Sequence, residues 1–414
     1  MSKIESVVLD NGLKIYFYID KRRHSTFFQH ITLFGGKTKD FIIDGRKYHI
    51  QDGVAHILEH YIVEENKNGN FLRLLGEKQM NTNASTSYDM TNYFFEAVED
   101  IEYGIETMIK GIYSPIFSED RLEKIKKPIL QEIRGRSDNK FYHSNIETFN
   151  NLFNNLKVRS VGGTLEEVEN TTLDDIITCF EAFYQPSNQF IVIGGNFDKD
   201  AILNLIKNIY NELDLKKKET KLIQIDENNK VSKNEGIVLF PTGEEYLEIN
   251  YKINLNKYSA KERLKLDFYI HYFFQMFFGV SSKVYKKLVN DKIITAGINC
   301  GYFSLNDFMI VSIGSYSSNI TTLKEFILNT INNLDDFDED LFELYKKDSI
   351  LKLVLRDENL FDTIIPFVNN IVLFDYPYPD KISDVEEFSF EDFKKSIKGL
   401  DFSNFTTTII KNKK

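Results

Sequence analysis

Two histidines and a glutamate, at positions 56, 59 and 60, constrain the fold of this chain more than any other feature. Residues three and four apart lie on one side of a helix, so His56, Glu59 and His60 would fall within an arc of roughly 100°. Two imidazoles four residues apart can bind one metal ion, and a carboxylate between them can accept a proton. The order His-x-x-Glu-His therefore predicts a helix that carries a hydrolytic zinc site.

Two simpler explanations of these residues stay open at this point. The chain has seven histidines among 414 residues, and the triplet is expected by chance in roughly one such sequence in a hundred. The histidines would alternatively be core residues whose ring nitrogens are satisfied by hydrogen bonds. The surrounding sequence has to decide between these explanations and a metal site.

The length and composition of the chain predict two packed domains. One hydrophobic core rarely serves 414 residues, and a hydrophobic content of 42%, with 35 Phe and 22 Tyr, is enough for two cores. The formal net charge of −11 argues against a nucleic-acid-binding surface. Only Cys179 and Cys300 are present, which excludes a disulfide framework and a cysteine-rich zinc module.

The sequence gives no sign of membrane insertion. Its N-terminal residues lack a basic region followed by a long apolar stretch, so we expect no signal peptide. The most apolar stretch, residues 266–280, contains Asp267 and His271 and is too short to cross a bilayer. We expect a cytoplasmic protein without a membrane span.

Short strands alternate with helices along the chain, which predicts an α+β fold. The turn residues Asn11 and Gly12 predict an antiparallel hairpin, and residues 81–88 are polar and compatible with an edge strand. Apolar periodicity predicts a series of later elements. These are helices at 101–116, 119–134, 143–155, 173–184 and 198–213, and a buried strand at 189–194.

A charged and polar stretch at residues 215–235 is the best candidate for a linker. It divides the chain into an N-terminal domain, residues 1–214, and a C-terminal domain, residues 236–414. The order of predicted strands and helices repeats loosely after the linker, so the second domain resembles a diverged copy of the first. It lacks the His-x-x-Glu-His pattern, and we expect its one histidine, His271, to have a packing or hydrogen-bonding role.

A third protein ligand has to complete a catalytic zinc site. Glu132 is the preferred candidate because the apolar side chains beside it, Ile129, Leu130 and Ile133, would pack inward and hold the carboxylate near the first helix. On composition, four other glutamates compete with Glu132 for this role: Glu64, Glu65, Glu96 and Glu123. Groups that would support the ligands or the substrate are Asp52, Asn83 and Glu96.

Several segments of the chain resemble the M16 metallopeptidases, the pitrilysin and insulinase family. Residues 51–60 resemble the Pro-x-Gly-x-Ala-His-x-x-Glu-His block of that family, with Gln51 in place of proline. Residues 81–91 resemble its substrate-binding edge strand, residues 130–133 its third-ligand segment, and residues 183–188 its Phe-Tyr-x-Pro-x-Asn segment. The resemblance raises Glu132 above the other candidates for the third ligand.

The resemblance implies two homologous α+β domains that form half of a clamshell. It also implies one Zn²⁺ per chain and a peptide substrate that pairs with the edge strand at Asn83, Ala84 and Ser85. A complete clamshell would require a homodimer or a heterodimer with a related M16 chain. The expected activity is that of a zinc endopeptidase acting on peptides or short unstructured segments.

Three departures from the family pattern bear on self-sufficiency. Residues 285–295 stand where active members often carry an Arg and a Tyr, and have neither at the matching positions. Pro128 and Ile125 are smaller departures in the third-ligand segment, and Pro128 would kink or restart its helix. The alternative to an active peptidase is a scaffolding or peptide-binding subunit of a heterodimeric M16 complex.

Overall fold

The computed structural model describes residues 3–64, 66–67, 69–156, 160–213, 215 and 218–413. Its strands are β1 (Lys3–Val8), β2 (Lys14–Ile19), β3 (Thr26–Thr32), β4 (Asp40–Ile43), β5 (Arg46–His49), β6 (Asn81–Thr86), β7 (Thr91–Ala97), β8 (Gln189–Gly195), β9 (Thr220–Leu222), β10 (Glu235–Phe240), β11 (Glu245–Asn254), β12 (Asn299–Leu305), β13 (Phe308–Ser317) and β14 (Phe405–Asn412).

The helices complete the two repeats. They are α1 (Val54–Glu64), α2 (Phe71–Glu77), α3 (Ile101–Ile112), α4 (Glu119–Ser137), α5 (Lys140–Leu152), α6 (Leu165–Asn170), α7 (Leu173–Phe183), α8 (Lys199–Glu212), α9 (Ala260–Phe278), α10 (Lys283–Asn290), α11 (Ile320–Asn332), α12 (Glu339–Arg356), α13 (Leu360–Phe374), α14 (Ile382–Glu386) and α15 (Phe390–Lys398). No helix among the described residues is long and apolar enough to cross a membrane.

The chain forms two compact units. Unit 1 comprises Met1–Arg136, Val158–Gln224 and Asn359–Val368, and unit 2 comprises Ser137–Lys157, Ile225–Glu358 and Asn369–Lys414. Sheet and helices occur together in each unit, which confirms the predicted α+β class.

Unit 1 contains a six-stranded sheet in the order β1-β2-β8-β3-β7-β6. Strands β2 and β8 are parallel, and the other neighbours are antiparallel. The predicted hairpin joins β1 to β2, and Gly12 has the positive φ of 89° that its turn requires. Strand β6 lies at the end of the sheet, as predicted for an edge strand.

A second, three-stranded sheet of unit 1 has the order β5-β4-β9. Its strand β9 falls within residues 215–235, which the sequence marks as a linker. Lys221 and Leu222 are largely exposed, and their backbone pairs with β4, so part of this charged stretch forms a strand. Residue 214, the expected end of the first domain, lies outside the described residues.

Unit 2 repeats the sheet of unit 1 without its first strand. Its order is β10-β14-β11-β13-β12, with β10 parallel to β14 and all other neighbours antiparallel. Strands β2, β8, β3, β7 and β6 of unit 1 have the same order and directions. The predicted resemblance between the two halves therefore extends to strand topology.

A division of the chain at residues 215–235 would assign each of two segments to one unit, whereas the structure places it in the other. Helix α5, in the N-terminal half, packs on β10 and β14 and belongs to unit 2. The start of α13 belongs to unit 1, where Phe361 contacts Phe27 and Phe94. An amphipathic helix shows that it has an apolar face but not which sheet covers that face, so the sequence could not predict this exchange.

Helix α4 runs without interruption from Glu119 to Ser137 and includes Pro128. Of the two expectations for Pro128, a restart of the helix is therefore not observed. Residues Leu122, Ile125, Ile129 and Ile133 of α4 are buried, and this apolar face anchors the helix in the core of unit 1.

Candidate metal centre

Helix α1 brings His56, Glu59 and His60 together, as the spacing predicts. Apolar residues around them, among them Ile57 and Leu58, are fully buried and fix the helix in the core. Both histidines are partly buried, and their Nε2 atoms lie 3.3 Å apart. The two nitrogens therefore face one common point.

Glu132 on α4 reaches the same point. Its Oε1 lies 3.9 Å from His60 Nε2, and the side chain is 41% exposed. One ligand atom from each of His56, His60 and Glu132 lies within 4.8 Å of the others, and this is the one such group of three among the described residues. The structure thus brings the three predicted ligands together, and their role in binding zinc stays a prediction.

The competing glutamates have other surroundings. Glu64 Oε1 lies 3.5 Å from the other ring nitrogen of His60, Nδ1, so Glu64 can orient that ring from behind. Glu96 accepts a hydrogen bond from Ser25, and Glu123 pairs with Lys126. Glu65 lies outside the described residues.

Glu59 is 7% exposed and accepts a 2.8 Å hydrogen bond from the Thr86 hydroxyl on β6. Burial raises the pKa of Glu59, and the hydrogen bond from Thr86 opposes that rise. A carboxylate with a raised pKa is a stronger base than an exposed glutamate. The position and environment of Glu59 therefore suit proton transfer.

His56 lies in surroundings that keep its imidazole neutral. Burial lowers the pKa of His56 to about 4, and the charges of His60 and Arg136 add to this effect. Its Nδ1 is buried and has no hydrogen-bond partner among the described residues. A neutral imidazole keeps a lone pair available for a metal ion.

A glycine-rich loop lies against the start of α1. Gly53 and Gly163 have φ values of 90° and 74°, and a Cβ on either would lie 2.7 Å from a backbone oxygen of the opposite segment. A Cβ on Gly162 would lie 3.6 Å from His56 Nδ1. The close backbone approach of Gly53 and Gly163 therefore fixes where α1 begins, and Gly162 lies in van der Waals range of His56.

Arg136 contributes a positive charge near the three ligands. One of its Nη atoms lies 3.4 Å from Glu132 Oε2, one turn along α4. The contact leaves Glu132 Oε1 as the oxygen nearer to His60. Arg136 can therefore orient the carboxylate of the third ligand.

The proposed substrate-binding residues lie on β6 with alternating directions. Asn83 and Ser85 are exposed, whereas Ala84 is half-buried on the side of the core. The amide oxygen of Asn83 accepts a hydrogen bond from the N–H of Ala84, and Ser85 accepts one from Asn92. Their role in binding substrate stays a prediction.

Asp52, predicted to support the ligands, is 3% exposed and forms an ion pair with Lys39. Its backbone oxygen lies close to Gly163, so its clearest role is to hold the loop that borders α1. Residues 285–295, where the family often has Arg and Tyr, lie in α10 and the turn that follows it, both in unit 2.

These donors fit a zinc ion. Two imidazole nitrogens and one carboxylate oxygen form the usual protein ligand set of a catalytic zinc site, and this set leaves a coordination position for water. The structure supplies this set as the Nε2 atoms of His56 and His60, 3.3 Å apart, and Glu132 Oε1, 3.9 Å from His60 Nε2.

Two family models match the sequence. The model for insulinase (peptidase family M16) matches residues 47–158, which contain His56, Glu59, His60 and Glu132, and the model for the peptidase M16 inactive domain matches residues 170–348. The chain belongs to the M16 peptidase family.

Two bacterial proteins are among the relatives of this chain. The uncharacterized zinc protease YmfH of Bacillus subtilis is 27% identical over 310 residues, which cover 74% of this chain and 72% of YmfH. Zinc protease PqqE of Helicobacter pylori is 25% identical over 222 residues, which cover 51% of this chain and 48% of PqqE. Both relatives are named as zinc proteases.

Solved M16 structures have the same fold. A protein from Alicyclobacillus acidocaldarius described as an M16-like peptidase superposes with a TM-score of 0.89 at 21% identity, over 100% of this chain and 99% of that one. The periplasmic protease PqqL of Escherichia coli has a TM-score of 0.76 at 15% identity, over 99% of this chain but 48% of PqqL. The fold of this chain is therefore that of an M16 peptidase half.

Sequence reasoning missed Thr86, Arg136 and the loop at Gly162. Arg136 lies four residues after Glu132, a spacing that places it on the same helical face and would have identified it. Thr86 and Gly162 are brought to α1 only by tertiary folding, and a single sequence gives no signal for such contacts.

Proposed function

We propose that this chain is a zinc-dependent endopeptidase that acts on peptides or short unstructured segments. The observation that carries the proposal is the convergence of ligand atoms from His56, His60 and Glu132 within 4.8 Å. The carboxylate of Glu59, which lies on α1 between the two histidines, is buried and accepts a hydrogen bond from Thr86. The names of the relatives YmfH and PqqE agree with this activity.

The residues would divide the reaction between them. Zinc held by the two histidines and Glu132 would polarise a scissile carbonyl and bring the pKa of a water molecule towards about 7. Glu59 accepts the proton of the attacking water and returns it to the leaving amine. Arg136 and Glu64 orient Glu132 and His60 through the contacts described above.

We infer that an extended peptide adds to the sheet of unit 1 at the free edge of β6. Strand β6 is the last strand of that sheet, and exposed backbone groups on an edge strand can pair with an arriving chain. The substrate would then run past α1, which packs on β6.

The proposal includes a dimer and a cytoplasmic location. The chain spans 48% of PqqL, which has the same fold, so two chains would supply a comparable length. A homodimer or a heterodimer with a related M16 chain would enclose the peptide in a chamber. The absence of Arg and Tyr at the matching positions of residues 285–295 favours a partner that supplies substrate contacts.

The first test is cleavage of a mixed, quenched peptide library by the purified chain, with zinc content and solution mass measured on the same sample. We expect zinc-dependent cleavage that Glu59→Gln lowers by more than about 100-fold, since it removes the general base. Glu123→Gln makes the same chemical change at an exposed site on α4 and should leave cleavage and zinc content unchanged.

Retained cleavage by Glu59→Gln would refute the assigned mechanism. A zinc-loaded wild-type chain that cleaves nothing, alone or with a related M16 chain, would favour the alternative of a scaffolding or peptide-binding subunit.

A further inference from the structure

We propose that Thr86 is a positioning residue through which the edge strand β6 holds the carboxylate of Glu59 in its reactive orientation. The inference rests on the proposed peptidase function, because it assigns Glu59 the role of base. Thr86 is the last residue of β6, and its hydroxyl donates to Glu59 Oε2 at 2.8 Å.

The hydroxyl of Thr86 is constrained to donate in this direction. Its other polar neighbour is Thr91 Oγ1 at 3.4 Å, and Thr91 itself donates to the backbone oxygen of Phe34 at 2.9 Å. The proton of Thr91 is thus already used. The proton of Thr86 is free for Glu59, the neighbouring acceptor with a charged oxygen.

The backbone of Thr86 faces the free edge of the sheet. Ser87 donates its N–H to the oxygen of Met90 across the turn, and Thr86 pairs with Thr91 one step further along. Bonded and non-bonded pairs alternate in an antiparallel ladder, so the N–H and C=O of Thr86 point away from β7.

Ala84 provides an independent check of this alternation. It lies two residues before Thr86 and must have the same direction. Its N–H donates to the side chain of Asn83 at 2.9 Å rather than into the ladder. The free edge of β6 therefore presents the backbone of Thr86 as well as that of Ala84.

One residue thus joins two tasks. The backbone of Thr86 is placed to pair with a peptide on β6, and its side chain fixes the carboxylate that acts on the peptide bond. Glu59 is 7% exposed, so protein groups such as the Thr86 hydroxyl, and not solvent, determine its orientation. Loss of the hydroxyl should leave peptide pairing intact but misplace the base.

The test compares Thr86→Val, Thr86→Ser and Thr220→Val with the full-length zinc-loaded chain on one peptide from the quenched library. Thr86→Val keeps the shape of the side chain and removes the hydroxyl. We expect kcat to fall about 10- to 100-fold with KM within about twofold, because a misplaced base weakens proton transfer. Thr86→Ser should restore most of the rate.

The control and a second readout separate positioning from stability. Thr220 donates its hydroxyl to the Ala182 oxygen at 2.9 Å, so Thr220→Val removes a comparable bond away from β6 and should leave kcat unchanged. Zinc content should equal that of the wild type in all variants. A double-mutant cycle of Thr86→Val and Glu59→Ala in metal-free protein should give non-additive losses of unfolding free energy.

The inference fails if Thr86→Val retains the wild-type kcat, if Thr86→Ser is as slow as Thr86→Val, or if the unfolding cycle is additive. A wild-type chain that cleaves no peptide, alone or with a related M16 chain, instead overturns the proposed function, and the cycle alone then decides whether Thr86 holds Glu59.

Discussion

Units 1 and 2 share five strands in the same order but place very different helices beside the edge strand. In unit 1, α1 packs on β6 and leaves two histidines partly exposed. In unit 2, α9 packs on β12, and the buried side chains of α9 are mostly aromatic, such as Phe273 and Tyr272. The same framework therefore supports a polar site in one unit and an extended aromatic core in the other.

A buried carboxyl on each helix sharpens the contrast. Glu59 of α1 has a hydrogen-bond donor in Thr86, whereas Asp267 of α9 has a buried oxygen without a hydrogen-bond partner among the described residues. Burial raises the pKa of Tyr302 on β12, and the charge of Asp267 raises it further. A carboxyl beside an edge strand is thus common to both units, whereas among the described residues only unit 1 places predicted metal ligands and a hydrogen-bond donor next to it.

The largest expected difference between the units is in zinc binding. His60→Ala removes a predicted ligand and should weaken zinc binding by more than about 100-fold, since loss of groups that only orient ligands already costs 10- to 100-fold. His271→Ala, on α9, should bind zinc as the wild type does, because His271 Nε2 faces Lys352 Nζ at 3.3 Å. Metal analysis after dialysis against graded chelator measures both. Equal zinc loss in the two variants would remove the distinction between the units.

The next effect concerns a buried ion pair in unit 2. Lys252 Nζ lies 2.8 Å from Glu227 Oε1, and the side chains are 0% and 2% exposed. Glu227→Gln leaves the ammonium buried without its counter-charge and should lower the unfolding free energy by about 3–5 kcal/mol. Chemical denaturation measures the change. Glu219→Gln, at an exposed position of the same predicted linker, should change stability by less than about 0.5 kcal/mol.

A smaller effect is the pH dependence that Asp267 gives to the stability of the folded chain. Burial raises the pKa of Asp267 from 3.8 to about 8, and the charge of Asp380 adds to this rise. The folded state therefore retains a proton that the unfolded chain releases, and this contribution to stability is present below about pH 4 and is lost as pH rises to about 8.

Asp267→Asn should flatten this dependence. We expect the variant to match the wild type at pH 4 and to exceed its stability at pH 8, by on the order of 1–3 kcal/mol. Denaturation curves at pH 4, 6 and 8 provide the measurement. If the wild type and the variant show the same change in stability between pH 4 and pH 8, Asp267 ionises normally.

Local sequence signals predicted much of the fold. The turn at Asn11-Gly12 identified the first hairpin, and apolar periodicity located α4 and α8. Helix α4 does not restart at Pro128, because its apolar face continues on both sides of that residue. The short strands β4, β5 and β9 were missed, since segments of three or four residues carry too little periodicity.

The candidate site was predictable where its residues share one helix. His56, Glu59 and His60 follow from spacing alone, whereas Glu132 required the resemblance to M16 peptidases to stand above other glutamates. Thr86 and Gly162 depend on how β6 and a glycine loop approach α1. Such contacts between distant segments are set by tertiary packing and leave no local pattern.

The exchange of helical segments between the two units has a consequence for synthesis of the chain on the ribosome. The sequence changes from one unit to the other five times, and residues 359–368 are the last to join unit 1. Phe361 and Ile364 of that segment lie against Phe27 and Gly194, so the six-stranded sheet of unit 1 lacks this cover until most of the chain has been translated. Truncated products that end within residues 225–358 would contain the whole ligand set but expose an uncovered face of that sheet.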